Sequence, residues 1–146
     1  MTHRYQVRAY YDHTDAGGVV YHAEYLGFAE QARTEMLREA GYPHADMQKN
    51  DNRAFVVRHI DIDYQNPAML DDVLTIESDV VRVGGASCDI RQIVKRGDQV
   101  ICVLTVVLVC LELESFTAFR IPSGLRSHLK SVCVNDDTPA ELEGAH

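Results

Sequence analysis

The stretch YYDHTDAGGVVYHAEY, residues 10–25, gathers Asp12, His13, Asp15 and His22 around the pair Gly17-Gly18, directly before a helix-like run. Glycines permit backbone angles that other residues avoid, so the bland role for Asp15 is to accept backbone N–H bonds inside the turn. His22 stands three and four positions before Tyr25 and Leu26, which predicts that it shares their inward face. A lone inward histidine is usually a satisfied core residue. The chemical reading starts from the helix: its first N–H groups lack partners and its dipole is positive there. An acyl carbonyl that becomes tetrahedral places negative charge on its oxygen, and a backbone N–H near His22 could receive it. Asp15 could then attack directly or activate water, His22 could orient or protonate, and Tyr11 could hydrogen-bond the carboxylate or the leaving group. Asp12, His13, Asp15 and His22 are also metal-ligand types, but their spacing matches no familiar closed site, and no metal is expected.

These residues need elements to hold them. Tyr5 to Tyr11 is short and rich in aromatic and β-branched residues, which predicts a first strand. From Ala23 to Ala40, apolar residues at Tyr25, Leu26, Ala29, Ala32, Met36, Leu37 and Ala40 recur at spacings of three and four, predicting an amphipathic helix on the order of 27 Å long that Gly41 stops. HADMQKNDNR then reads as a polar connection. Ile60, Ile62 and Tyr64 alternate with His59, Asp61 and Asp63, a strand that Pro67 ends. Val73 to Val83, Ser87 to Lys95 and Gln99 to Leu113 follow, joined by Gly84-Gly85 and Arg96-Gly97-Asp98 as hairpin turns. VICVLTVVLVCLEL is apolar on both faces, which predicts a central strand covered on both sides. The order favours one antiparallel sheet curled around one helix, an α+β architecture. Leu125 to Val132 reads as a short terminal helix, and residues 134–146 as an acidic, disordered tail.

Composition narrows the partners. At 146 residues and 46% hydrophobic content the chain fits one domain with a continuous core. A net charge of −8 repels polyanions, so nucleic acid is a poor partner. Arg82, Arg91, Arg96 or Arg120 could still hold a small anion locally. No apolar run approaches the ~18 residues of a spanning helix, and the N-terminus has no apolar leader, so a cytoplasmic protein is expected. Cys88, Cys102, Cys110 and Cys133 show no C-x-x-C spacing and read as buried, reduced thiols.

The stretch YYDHTDAGGVVYHAEYLGFAEQARTEMLR resembles the signature of the Tol-Pal-associated acyl-CoA thioesterases, within the hydroxybenzoyl-CoA thioesterase group of hotdog-fold proteins. The resemblance continues through FVVRHIDIDYQNPAMLDD, VGGASCDIRQ and FRIP. It implies a hotdog domain over residues 1–133, with a long central helix wrapped by a bent five-stranded antiparallel sheet. It also implies a homodimer or homotetramer with active sites between subunits, and catalytic roles for Asp15, His22 and Tyr11. The amide at His22 would polarise the thioester carbonyl, and Arg58 with the Gly85-Ala86-Ser87 turn would line the substrate channel. No cofactor is implied. One departure is visible: the family commonly carries an acidic pair before its Thr-Asp, and here the pair is Asp12-His13, so His13 could shift the pKa of Asp15. Some hotdog thioesterases use an acid further along the helix, which would point to Glu30 or Glu35. The expected activity is hydrolysis of an acyl-CoA to free acid and coenzyme A. The rivals are a non-catalytic acyl-CoA or acyl-carrier-protein binding scaffold of an envelope or lipid-synthesis complex, and a dehydratase, whose histidine and acid arrangement is not found here.

Overall fold

A computed structural model of the chain describes residues 1–134, so the expected tail lies, Val134 apart, outside the described residues. The elements are β1 (His3–Arg8), α1 (Glu24–Glu39), α2 (His44–Asp46), β2 (Arg53–Tyr64), β3 (Val73–Val83), β4 (Ser87–Arg96), β5 (Gln99–Glu112), β6 (Thr117–Ala118) and α3 (Ser123–Val132). The strands form one antiparallel sheet in the order β1-β3-β4-β5-β2, with β6 added on β5. The sheet therefore holds six strands where five were expected. The sixth arises because the chain after β5 reverses at Phe116, φ +56°, and pairs Ala118 with Leu111. Two residues are too few to register as a period.

β5 is internal rather than central: it lies between β4 and β2, one place in from an edge. Ile101 to Leu104 are all buried, but beyond them buried and half-buried residues alternate, so double coverage holds for only part of the strand. The β4–β5 hairpin closes with two residues, Gly97 taking φ +58°, the glycine-first geometry that matches strand twist. The first strand is shorter than expected and ends before Tyr10, and residues Tyr11–His13 form a single 3₁₀ turn.

α1 packs on β1, β3 and β4 through Tyr25, Phe28, Ala29, Ala32, Arg33 and Leu37. Ala29 and Ala32 let the backbone approach the sheet, while burying side chains such as Phe28 and Leu37 contributes about 2 kcal/mol each. Leu26, expected inside, is 38% exposed, and Arg33, not expected there, is buried. The arginine is admitted by Gln92 on β4, whose amide oxygen accepts from the Arg33 guanidinium at 2.9 Å. Gln92 Nε2 in turn donates to the Ala29 carbonyl and the Ser78 hydroxyl. The helix ends as predicted: Gly41 takes φ +93°, its N–H bonds the Arg38 carbonyl, and Tyr42 N–H bonds that of Leu37. The connection that follows is helical, not a plain loop: α2 continues into a wide turn over Met47–Asp51, because Met47 is wholly buried and anchors it.

Candidate active site

Residues 13–21 fold back on themselves. Thr14 bridges Val20, Asp15 N–H donates to the Val19 carbonyl, and Tyr21 N–H donates to that of His13. This small hairpin is tied to the segment after β2, since Val20 N–H donates to Ala68 and Leu70 N–H donates to Gly18. Gly18 takes φ +77°, which an L side chain resists, so the glycine serves the reversal.

Asp15 is exposed, and its Oδ1 accepts the Gly17 N–H at 2.9 Å. The turn role is thus real, but Oδ2 has no partner among the described residues, so the bond fixes the carboxylate without consuming it. His22 differs from expectation. It is exposed rather than inward, because α1 starts only at Glu24 and the helical spacing does not yet apply. Its ring packs tilted against Tyr21 at 4.4 Å and meets Tyr64 edge-on at 6.1 Å. Tyr21 N–H and Glu24 N–H are spent on carbonyls, whereas the His22 N–H has no acceptor among the described residues. Beside it opens a cleft of about 290 Å³ lined by His22, Tyr25, Tyr64, Asn66 and Pro67. Asn66 Nδ2 donates to Val100 and the Gln65 and Asn66 amides to Ile101, which pins this wall to β5. The Tyr25 hydroxyl accepts the Ala68 N–H at 3.0 Å, and burial pushes its phenol up in pKa against that bond.

The chain does not bring all the expected residues together. Tyr11 sits on the 3₁₀ turn instead of a strand end, and is 83% exposed with its hydroxyl unpaired among the described residues. His13 is spent elsewhere: its Nδ1 accepts the Tyr10 N–H and its ring packs edge-on against Phe28 at 4.9 Å. Glu30 is exposed and Glu35 pairs with Arg38 at 3.4 Å. Arg58 is the bulged residue of β2, exposed and without an ion pair among the described residues. The Gly85-Ala86-Ser87 turn lies at the far end of β4 from the cleft, about nine residues or roughly 30 Å away. Its polar groups are committed: Gly85 O accepts Ile121 N–H, Ala86 O accepts Cys110 N–H, and Ser87 Oγ accepts from Arg82 at 2.7 Å. Ala86 also borders a shallow cavity of about 360 Å³ with Phe119 and Arg120. Arg82 and Arg96 are engaged by Asp89 and Asp72, so Arg120 is the freer of the candidate arginines. Burial pushes the thiols of Cys88 and Cys102 up to about 12 and that of Cys110 up to about 11, which removes them as nucleophiles. Sequence reasoning passed over Tyr64, whose hydroxyl donates to the His22 carbonyl at 3.0 Å. The available signal was its place as the last residue of an alternating strand, just before the Asn66-Pro67 break.

Residues 17–103 match the thioesterase superfamily model. The chain is 40% identical over 129 residues to the acyl-CoA thioesterase YbgC of Haemophilus influenzae, covering 86% of this chain and 95% of that protein. It is 32% identical over 134 residues to the long-chain acyl-CoA thioesterase FadM of Escherichia coli, covering 90% and 98%. Among solved structures, a probable thioesterase from Bartonella henselae superposes with a TM-score of 0.80 at 34% identity, covering 84% of this chain and all of that one.

Proposed function

The chain belongs to the thioesterase superfamily and is an acyl-CoA thioesterase, and from that premise we propose how the edge holding Asp15 and His22 hydrolyses its substrate. The acyl carbonyl enters the cleft with its oxygen against the His22 N–H. Water held by the free Oδ2 of Asp15 attacks the carbonyl carbon while the carboxylate takes its proton. Negative charge collects on the carbonyl oxygen, where the N–H and the positive end of α1 stabilise it. Collapse breaks the C–S bond, the proton passes from Asp15 to the departing sulfur, and free acid and coenzyme A leave. Tyr11, with an unspent hydroxyl, is assigned to the leaving-group side. The activity rests on the kinship just described. The mechanism rests on one observation: an amide without acceptor beside a cleft, at the foot of the small hairpin whose Asp15 carboxylate is anchored at one oxygen.

The distance between the cleft and the Ala86–Arg120 end is resolved by a second copy. β2 is a twelve-residue edge strand with no neighbour on its outer side among the described residues, a template for strand pairing. A two-fold pairing of β2 with its copy is antiparallel, so it carries the Ala86–Arg120 end of one chain toward the His22–Tyr64 cleft of the other. The partner's Arg58, Gly85, Ala86 and Ser87 then line the channel for the coenzyme A moiety, and the unit is a homodimer or a homotetramer built from it. This reading supports the hotdog arrangement of a central helix under a wrapping sheet, and a single domain over residues 1–133. The signature stretch supports a reading of the chain as one of the Tol-Pal-associated branch of the hydroxybenzoyl-CoA group. Its free buried thiols favour the cytoplasm.

Thiol release followed with a disulfide-exchange dye over a panel of acyl-CoAs tests the reading. Turnover of at least one acyl-CoA by the wild-type chain is expected; binding without any turnover would overturn hydrolysis and restore the scaffold.

A further inference from the structure

At the cleft, one hydrogen bond between Tyr64 and the backbone of His22 is not used by the mechanism above. Tyr64 is the last residue of β2, and its hydroxyl reaches across to the His22 carbonyl at 3.0 Å. Its ring stands perpendicular to the His22 imidazole, at 87°, and contacts the Tyr25 ring at 5.9 Å. Residue 22 needs such a restraint. It lies two residues before α1, outside any strand, and Ala23, which caps the helix, makes no side-chain cap bond. The peptide that carries the unpaired N–H, Tyr21–His22, is held at its carbonyl by the Glu24 N–H at 2.9 Å, but the next peptide, His22–Ala23, has only the Tyr64 bond among the described residues, so Tyr64 sets the second of the two planes that orient residue 22.

We propose that Tyr64 is a positioning residue for hydrolysis: through its bond to the His22 carbonyl it holds the His22 amide at the angle that receives the developing oxyanion. Because the hydroxyl hydrogen is committed to that carbonyl, Tyr64 does not protonate the leaving sulfur. Burial raises its phenol pKa further, which keeps the donor in place at neutral pH. Geometric control of this kind is costly to lose, since a donor displaced by ~1 Å can forfeit up to about a hundredfold in rate. Its effect falls on the transition state, because the charge it serves is absent from bound substrate.

The proposal rests on the reading of the Asp15–His22 edge, and the experiment separates the two. In Tyr64→Phe the ring contacts remain and only the hydroxyl is lost. The expected result is a kcat reduced by about 10- to 100-fold with KM within about twofold of wild type. An S-alkyl coenzyme A thioether lacks the carbonyl oxygen, so its Kd, measured by calorimetry, is expected to be unchanged in the same variant. Equal losses of kcat and of thioether affinity would show that Tyr64 merely shapes the cleft, and a kcat within twofold of wild type would also overturn the proposal. Asp15→Asn is measured alongside: if that variant kept full activity, the reading of the catalytic edge would fall whatever Tyr64 does. If Asp15→Asn is inactive and Tyr64→Phe is not, only the role of Tyr64 falls. Circular dichroism of Tyr64→Phe must match wild type, and Tyr64→Leu, which removes the ring as well, is expected to lose thioether affinity in addition to rate.

Discussion

One oxygen of Asp15 holds the Gly17 turn, and the proposed mechanism gives the other to catalysis, a division that is testable residue by residue. Asn at this position keeps an oxygen for the Gly17 N–H but cannot take a proton from water, so Asp15→Asn is expected to lose at least about a hundredfold in kcat while its melting temperature stays within a few degrees. Equal loss of stability and activity would return Asp15 to the turn alone. A single turnover in ¹⁸O-enriched water identifies the attacking atom: with Asp15 as general base, the first acid released carries the label. An unlabelled first product would make the carboxylate the nucleophile. Asp15 and its turn were readable from Thr-Asp-Ala-Gly-Gly, because the glycines and the acceptor act within a few residues of each other. The inward placement of His22 was not, since it assumed a helix that begins two residues later.

At the scale of elements, α1 is joined to the sheet by a polar bridge as well as by packing. Gln92 occupies an inward position of β4, between Ile90 and Val94, and satisfies Arg33, Ala29 and Ser78 together. Burial pushes the Arg33 guanidinium down in pKa, and its neighbour Glu30 only partly offsets this, so the arginine depends on that amide oxygen. Gln92→Leu is expected to destabilise the chain by about 3 kcal/mol, three lost bonds at ~1 kcal/mol each, as read by urea unfolding. A second tie links β4 to the segment before β3. Arg96 and the Met69 N–H both bond Asp72 Oδ2, at 2.6 and 2.7 Å. Burial alone would raise the Asp72 carboxyl, but those two donors outweigh it and hold it below its ordinary value. A depressed carboxyl contributes stability above the unfolded value near pH 4 and loses it as the pH falls through the folded one. Asp72→Asn is therefore expected to cost about 1 kcal/mol at pH 7, with the difference from wild type shrinking as the pH falls through the depressed folded value. Strand and helix periods, and the stop at Gly41, were legible because each is set by local spacing. The buried face of α1 was legible only in part. Leu26 and Arg33 exchange their expected places because Gln92, 59 residues beyond Arg33, supplies the partner a buried arginine needs.

For the molecule as a whole, the proposed assembly runs through the β2 edge, which has no strand on its outer side among the described residues. A charge on that edge opposes strand pairing, so Val57→Asp, at a residue already exposed, is expected to shift the sedimenting species to monomer and to cut turnover more than tenfold with secondary structure unchanged. An active monomer would place the whole site within one chain. Mixing Asp15→Ala with Arg58→Ala, each expected to be impaired alone, is expected to recover activity, because hybrid dimers contain one cleft with both wild-type contributions. Taken by itself, the amino-acid sequence determined the order and type of the main elements, the Asp15 turn and the chain's thioesterase kinship, since these depend on periods and motifs within a few residues. Only the tertiary structure decided that Arg33 enters the core, that Tyr64 reaches the carbonyl of His22 across 42 positions of chain, and that Gly85–Ser87 lie at the opposite end of β4 from the cleft. Those outcomes depend on which strand lies beside which, and on how far along it each residue falls, and no local spacing encodes either.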